Sequence, residues 1–334
     1  MRLAALALAA VLAVPVPATA RAVDRAPQRV SDGLEVTGWV LESSPPAVVD
    51  RNAAGLTTVS VAGVTLRRDG GSVSTPGAGA RRLLATAHRD GLRAELLVSN
   101  YSDALGDFDP ARNHALLSSP QRIARVAARL ASSVRTEGWD GVNIDLERVR
   151  AADGPGLVDL AAALQERMPA ARTVSVDISA ATSLRGYRQG GYRLGALADA
   201  VDVVDLMTYD QHGPGWSVPG PIGALGWQRD ALAALLSVVP ADQVQLGVAG
   251  YGYSWPRHGT GRDLTVRQAR ALVQRDGAIA RWRPGVGEWT ARLSDGTVLW
   301  WSDRRSYDLR VTLARRAGVA GLAVWRLGSA DPLR

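Results

Sequence analysis

Eight short β-rich segments alternate with segments of helical periodicity, and this alternation predicts an α/β fold, a (β/α)8 TIM barrel. A doubly wound open sheet would share the alternation, but no glycine-rich phosphate-binding fingerprint follows the first candidate strand. An apolar fraction of 46% in 334 residues is enough for one large core. The candidate strands are Glu35–Val40, Thr57–Leu66, Arg93–Ser99, Gly141–Glu147, Thr173–Ser179, Val203–Tyr209, Val244–Ala249 and Gly321–Trp325.

Helical periodicity is clearest between the third and fourth candidate strands, over Pro120–Thr136. Ser119 followed by Pro120 is typical of a helix start, because serine caps the first turn and proline fits its first position. A second helix is predicted over Gly156–Met168, with Pro169 shortly after its end. The apolar face of the first helix consists of Ile123, Val126, Ala127, Leu130 and Val134.

The connection between the seventh and eighth candidate strands is longer than one helix requires, so we expect a small insertion at about residues 256–303. It contains a predicted hairpin, Trp289–Leu293 and Val298–Trp301, around the turn Ser294-Asp295-Gly296. Residues 34–334 are therefore predicted to form one barrel domain that carries this insertion.

The first twenty residues have the features of a secretory signal peptide. A basic start at Arg2 precedes an apolar run, Leu3–Pro17, and the small residues Ala18-Thr19-Ala20. Residues 21–33 then form a predicted linker, and the protein is expected to be secreted, either extracellular or in the cell wall. An uncleaved membrane anchor is the alternative, although the apolar run is short for a bilayer and no stable membrane insertion is expected after cleavage.

The composition narrows the classes of partner and cofactor. The chain has no cysteine and four histidines without metal-site spacing, so we expect no metal and no cofactor. The net charge is +7, and all 39 basic residues are arginine. A basic surface can favour an anionic matrix, but a coding bias toward arginine explains it equally well. No nucleic-acid-binding motif is present, and a monomer is expected.

The segment Asp140–Glu147 carries the strongest chemical signal. Along a strand the side chains alternate, so one set faces the outer helices and the other the barrel interior. The apolar set is Val142, Ile144 and Leu146, and the polar set is Asn143, Asp145 and Glu147. Polar side chains are costly in a barrel interior, and two close carboxyl groups cannot both ionise freely. One carboxyl group is therefore expected to have the raised pKa of a general acid, unless the strand is antiparallel with a solvated face.

This segment resembles the D-G-x-x-x-D-x-E motif of glycoside hydrolase family 18. Three further segments resemble motifs of that family in the same order, and together they cover roughly residues 34–332. The resemblance implies a TIM barrel that hydrolyses polymers of β-linked N-acetylhexosamine, a carbohydrate-metabolising enzyme that binds chitin or peptidoglycan. The three segments are Leu206–Asp210 (M-x-Y-D), Gln245–Tyr253 (L-G-x-x-x-Y-G) and Ala323–Gly328 with its tryptophan.

The sequence is similar to the spore-cortex-lytic, germination-type branch of the family more than to its main chitinases. Asn143 stands where most chitinases carry aspartate, and Ser99-Asn100 ends the third strand where they show S-x-G-G. Trp300–Asp303 is similar to the branch's V-W-F-E-D stretch, with Ser302 in place of its glutamate. The LysM wall-binding repeats often found in that branch are absent, which leaves wall targeting open.

The resemblance implies a retaining, substrate-assisted mechanism in which the substrate's acetamido oxygen attacks the anomeric carbon. Glu147 would then be the acid and base, Asp145 would orient the acetamido group and stabilise the cationic intermediate, and Tyr209 would donate to the acetamido carbonyl. Further substrate-binding positions are expected at Asn143, Asp210, Trp325, Asn100, Trp39 and Tyr251. For Asn143 an indirect role, through a hydrogen bond to Asp145, is also consistent with the sequence.

Three functions remain open at the level of the sequence. The first is hydrolysis of peptidoglycan after N-acetylglucosamine, and the second is a chitinase or another endo-β-N-acetylglucosaminidase with the same chemistry. The third is a non-catalytic lectin on the same barrel, which the presence of Glu147 disfavours. Asn143 and Ser99-Asn100 favour the first over the second.

Overall fold

The protein is described from a computed structural model that covers residues 33–169 and 171–333. The predicted signal peptide and residues 21–32 of the predicted linker lie outside the described residues. Within these ranges, no helix is long and apolar enough to cross a membrane.

The described residues contain strands and helices in close alternation. The strands are β1 (Glu35–Leu41), β2 (Thr58–Thr65), β3 (Arg93–Ser99), β4 (Tyr101–Ser102), β5 (Asp107–Phe108), β6 (Gly141–Asp145), β7 (Thr173–Ser179), β8 (Val203–Met207), β9 (Val244–Ala249), β10 (Tyr251–Trp255), β11 (Arg262–Thr265), β12 (Arg281–Arg283), β13 (Glu288–Arg292), β14 (Val298–Trp301) and β15 (Gly321–Trp325). The helices are α1 (Ala47–Asp50), α2 (Ala78–Arg89), α3 (Pro110–Leu117), α4 (Pro120–Glu137), α5 (Gly154–Arg167), α6 (Leu184–Gln189), α7 (Leu194–Ala200), α8 (Leu225–Leu236), α9 (Val266–Asp276) and α10 (Arg304–Ala317). Short 3-10 turns lie at Ala53–Gly55, Ala151–Asp153 and Ala241–Gln243.

Eight parallel strands close into a barrel in the order β1, β2, β3, β6, β7, β8, β9 and β15, with β15 pairing back to β1. The predicted TIM barrel is confirmed, and the strand bounds agree closely with the sequence-based ones. Two strands end two residues earlier than predicted, at Asp145 and at Met207. Their next residues leave the ladder because side chains satisfy the local backbone, as when Thr208 Oγ1 donates to the carbonyl of Gly247 at 2.6 Å.

The side chains of the fourth barrel strand, β6, alternate as predicted. Its apolar side chains lie in the main hydrophobic core, on the side of the outer helices. Helix α4 lies in this layer and begins as predicted, with Ser119 as its cap and Pro120 in its first turn. Its apolar face is buried, and Gly138 ends it in the left-handed conformation at φ 86°. The barrel and its helices therefore bury one continuous core and leave the polar set of β6 inside the barrel.

The insertion between the seventh and eighth barrel strands is larger than the predicted hairpin. It is a five-stranded sheet in the order β11, β10, β14, β13, β12, covered by helix α9. The predicted hairpin corresponds to β13 and β14, while β10 starts at Tyr251, directly after β9. The sheet has its own small core, which includes Leu264, Val273, Leu299 and Trp301. The insertion therefore rises from the C-terminal rim of the barrel, where active sites of this fold lie.

Candidate active site at the C-terminal end of the barrel

Glu147 lies two residues beyond the end of β6, and two asparagines hold its backbone. Asn100 accepts from the Glu147 N–H at 2.9 Å and donates to its carbonyl at 3.0 Å, while Asn113 donates to the same carbonyl at 2.6 Å. Asn100 is fully buried, and its remaining N–H donates to the Asp109 carbonyl. Asn100 therefore positions Glu147 and has no free group for substrate, which corrects its predicted binding role.

Asp145 and Glu147 are two neighbouring carboxyl groups of one motif, the first buried and the second half-buried. Burial raises the pKa of Asp145 from 3.8 to about 7, against a hydrogen bond from Ser99. Burial raises the pKa of Glu147 well above its ordinary value, and the negative charges of Asp145, Asp210 and Asp107 raise it further. Glu147 therefore retains a proton where Asp145 can already be ionised, which separates an acid from a carboxylate within one motif.

Asn143 lies one layer below Asp145 and is completely buried. Its Oδ1 accepts from Trp39 Nε1 at 3.0 Å and from Ser60 Oγ at 2.9 Å. Its Nδ2 donates to Asp177 Oδ1 at 2.7 Å and to Ser175 Oγ at 3.0 Å. The predicted contacts of Asn143 with substrate or with Asp145 are therefore wrong, because its amide bonds to other barrel strands.

Asp210 follows the sixth barrel strand in the left-handed conformation, with φ 57°, and is exposed to solvent. Its Oδ1 accepts hydrogen bonds from the hydroxyl groups of Tyr251 and of Tyr253, the latter at 2.8 Å. Tyr209 is half-buried beside them, and burial raises the pKa of its hydroxyl, so that it remains a proton donor. Tyr209 lies close to Asp145 and Glu147 as well, since the charges of both carboxyl groups raise the pKa of its hydroxyl.

Aromatic rings close the pit from below and at one side. Trp325 ends the eighth barrel strand and is half-buried, while Trp39 packs edge-on beneath it with ring centres 6.2 Å apart. Trp39 is only 1% exposed, so it supports Trp325 and is not the sugar platform that the sequence suggested. Trp216 is 58% exposed, and its ring is perpendicular to that of Tyr253 with ring centres 5.8 Å apart.

The structure thus gathers Asp145, Glu147, Tyr209, Asp210 and Trp325 around one pit, with Tyr251 at its wall. Asp177 was not among the predicted site residues, but it is 3% exposed inside the barrel and accepts a hydrogen bond from Asn143. The positioning role of Asn113 had no sequence signal, because it comes from a helix remote in the chain. Within the described ranges, no group of three or more histidine or acidic side chains is arranged to hold a metal ion.

The sequence is similar to those of known glycosylases. The chain is 26% identical over 257 residues to the uncharacterized glycosylase YvbX of Bacillus subtilis, covering 74% of each. It is 24% identical over 246 residues to the cortical fragment-lytic enzyme of that species, covering 70% of this chain but only 55% of the enzyme. The chain therefore spans about half the length of that relative.

Solved structures show the same fold. A chitinase from Chromobacterium violaceum superposes with a TM-score of 0.80 at 26% identity, covering 89% of this chain and 95% of the chitinase. The Bacillus cereus spore cortex-lytic enzyme SleL superposes with a TM-score of 0.78 at 19% identity, covering 88% and 71%. Residues 98–330 match the family Glycosyl hydrolases family 18. Since that match spans more than two thirds of the sequence, the chain belongs to glycoside hydrolase family 18, as a glycosidase related to cortex-lytic enzymes and chitinases.

Proposed function

We propose that the protein is a secreted hydrolase of β-1,4-linked polymers that contain N-acetylglucosamine, with peptidoglycan as its substrate. The observation that carries the proposal is the pair of carboxyl groups at the base of an aromatic pit, the buried Asp145 and the half-buried Glu147. Burial and mutual repulsion leave one proton on Glu147 while Asp145 can ionise. A positioned acid beside a fixed negative charge is suited to breaking a glycosidic bond through a cationic transition state.

In the proposed reaction, Glu147 protonates the leaving oxygen and the substrate's acetamido oxygen closes on the anomeric carbon. A water molecule, deprotonated by Glu147, then opens the cyclic intermediate with net retention. Asp145 Oδ1 is buried and has no hydrogen-bond partner in the protein, so it can accept from the acetamido N–H and face the positive charge of the intermediate. Tyr209 donates to the acetamido carbonyl, and Trp325 supports the apolar face of the sugar.

A displacement by Asp145 itself fits this geometry less well. Asp145 ends β6 and Glu147 follows it by two residues, so both reach the sugar from the end of the same strand, whereas an acid and a nucleophile flank the bond from opposite directions. Matched oligomers with and without the N-acetyl group at the cleavage position distinguish the two mechanisms. The substrate-assisted mechanism requires the deacetylated oligomer to be inert. Efficient cleavage of that oligomer, or a sugar trapped on Asp145, would contradict it.

Peptidoglycan is favoured because the relatives include cortical fragment-lytic enzymes and because Asn143 and Ser99-Asn100 depart from the chitinase pattern. A chitinase is the second candidate, because a chitinase is the structure that superposes at 26% identity over 95% of its length. The test is to digest purified peptidoglycan and chitin side by side and to analyse the products by mass spectrometry. We expect muropeptides with N-acetylglucosamine at the new reducing end. Products from chitin alone would establish the second candidate.

Secretion and independence from cofactors complete the proposal. The signal-like residues 1–20 predict a mature chain that begins near residue 21, which N-terminal sequencing of protein from the culture medium can test. Chelator treatment should leave hydrolysis unchanged, because the proposed chemistry uses only a carboxylic acid and the substrate's amide. Activity that is lost to a chelator and restored by a divalent ion would contradict that mechanism.

A further inference from the structure

Two further carboxyl groups lie beneath the catalytic pair inside the barrel. Asp177 on β7 and Asp205 on β8 are register partners on adjacent strands, and they are 3% and 2% exposed. Neither takes part in the proposed reaction. Two buried acids in the interior of a barrel are expensive to retain without a function or a compensating partner.

The amide of Asn143 fixes how Asp177 can bond. Trp39 Nε1 can only donate, and it donates to Asn143 Oδ1, so the amide nitrogen must point the other way, toward Asp177. Asp177 Oδ1 is therefore an acceptor whether or not Asp177 carries a proton. Any proton on Asp177 therefore resides on Oδ2, and the register partner Asp205 on the adjacent strand is the carboxyl group to which it can donate.

The groups that face Asp177 from the surrounding strands are Asp145, Asp205, Glu95 and Tyr209, and none of them is a cation. Glu95 accepts from Thr173 and Ser175 at 2.6 and 2.9 Å. Burial raises the pKa of Asp177 and of Asp205 well above the ordinary value, and the charge of Asp145 raises that of Asp177 further. The pair is therefore most stable without charge, with one hydrogen bond between its two carboxyl groups.

We propose that Asp177, hydrogen-bonded to Asp205, is a positioning residue that orients Asn143 while remaining uncharged, so that Asp145 carries the only negative charge of this layer. The inference rests on the proposed function for its catalytic meaning, because Asp145 must be ionised to stabilise a cationic intermediate. A carboxylate at Asp177 would instead place a second negative charge close to Asp145 and disfavour the ionisation of Asp145.

The test changes which carboxyl group can ionise. In Asp205→Asn, the new amide donates to Asp177, so Asp177 becomes a carboxylate held by two amide groups. We expect the ionisation midpoint of Asp145 to rise by roughly one pH unit, as a like charge nearby produces. In Asp177→Asn, the charge moves to Asp205, which lies farther from Asp145, and the expected rise is smaller. The double variant Asp177→Asn/Asp205→Asn restores an uncharged pair, and its midpoint should return to that of the wild type.

The primary measurement needs no substrate. For each background, the free energy of unfolding with and without Asp145→Asn is measured against pH, and the difference gives the midpoint of Asp145. An unmoved midpoint in Asp205→Asn, or a double variant that remains displaced, overturns the inference. If Asp205→Asn fails to fold, Asp177→Asn takes its place, because the midpoint of Asp145 should still rise there, and an unmoved midpoint overturns the inference.

The acid limb of kcat/KM is the second measurement, and it should move in parallel with little change in KM. A midpoint that moves in a protein without activity on any polymer would refute the proposed function and leave the inference standing. An unmoved midpoint in an active enzyme would refute the inference and leave the proposed function standing.

Discussion

The catalytic pit and the base of the insertion both bury acidic side chains, but they surround them differently. At the base of the insertion, Glu288 is fully buried against Arg310, with Oε1 and Nη2 3.4 Å apart. Glu288 also accepts from the backbone N–H groups of Ile222 and Gly223 at 2.8 and 2.9 Å. Asp145 has a hydrogen bond from Ser99 and an oxygen without any partner.

The difference separates a structural acid from a reactive one. Burial raises the pKa of Glu288, but the charge of Arg310 and two backbone N–H groups lower it. The hydrogen bonds of Glu288 therefore connect its strand to Arg310 and to the segment of Ile222 and Gly223. Arg310 extends the network by donating to the carbonyl of Gly223 at 2.5 Å and to Gln228 at 3.0 Å. In the pit, the charges of Asp145, Asp210 and Asp107 raise the pKa of Glu147 further, and the exposed Arg148 opposes them only in part. Glu147 therefore holds a proton that it can transfer.

Removal of the cation from the compensated pair should give the largest effect. Arg310→Met leaves Glu288 buried without its partner, and we expect a loss of ~3–5 kcal/mol in the free energy of unfolding. Urea denaturation followed by tryptophan fluorescence measures it. The matched control is Arg310→Met/Glu288→Gln, which removes both charges and should recover part of the loss. A single variant that loses less than ~1 kcal/mol would mean that the pair is not compensated by Arg310.

Glu147→Gln tests the other side of the comparison. The substitution keeps the shape of the side chain and removes its transferable proton, so kcat should fall by at least ~10²-fold with KM nearly unchanged. The free energy of unfolding should not fall, because a neutral amide costs no more to bury than this acid. Steady-state kinetics and urea denaturation on the same preparation measure both. Near-normal turnover by the folded variant would remove Glu147 from the mechanism.

The free energy of unfolding should depend on pH in the way expected for a buried acid without a cationic partner. The pKa of Asp145 is about 7 in the folded state against 3.8 ordinarily, so the folded protein binds a proton that the unfolded chain releases. This contribution is complete below about pH 4 and is lost as the pH rises to about 7, with a slope of at most ~1.4 kcal/mol per pH unit. Compared with Asp145→Asn, the wild type should lose stability over this window and level off above it. Parallel curves would contradict the raised pKa.

The smallest effect is expected from a surface pair beside the acid. Arg148 and Asp107 form an exposed ion pair at 2.5 Å, and their charges act on Glu147 in opposite directions. Asp107→Asn should lower the pKa of Glu147 and move the alkaline limb of kcat to lower pH, whereas Arg148→Gln should move it to higher pH. Each variant should change stability by less than ~1 kcal/mol. Shifts in the same direction for both variants would show that the limb does not report Glu147.

The sequence by itself determined the barrel and the side of each strand that faces inward. The strand period of two is local, so the apolar and polar sets of β6 could be assigned from eight consecutive residues. The acid pair, Tyr209, Asp210 and Trp325 were found through the resemblance of their segments to motifs of family 18, each at the C-terminal end of a predicted strand.

Only the tertiary structure decided which inward-facing side chains meet. Asn143 bonds to Asp177 and Trp39, and Asn100 and Asn113 hold the backbone of Glu147, across separations of 34 to 104 residues along the chain. These partners depend on the stagger between neighbouring strands and on how the barrel closes, which no single segment encodes. For the same reason, the sequence placed Asn100, Asn143 and Trp39 at the substrate, while the closed barrel buries all three as its supports.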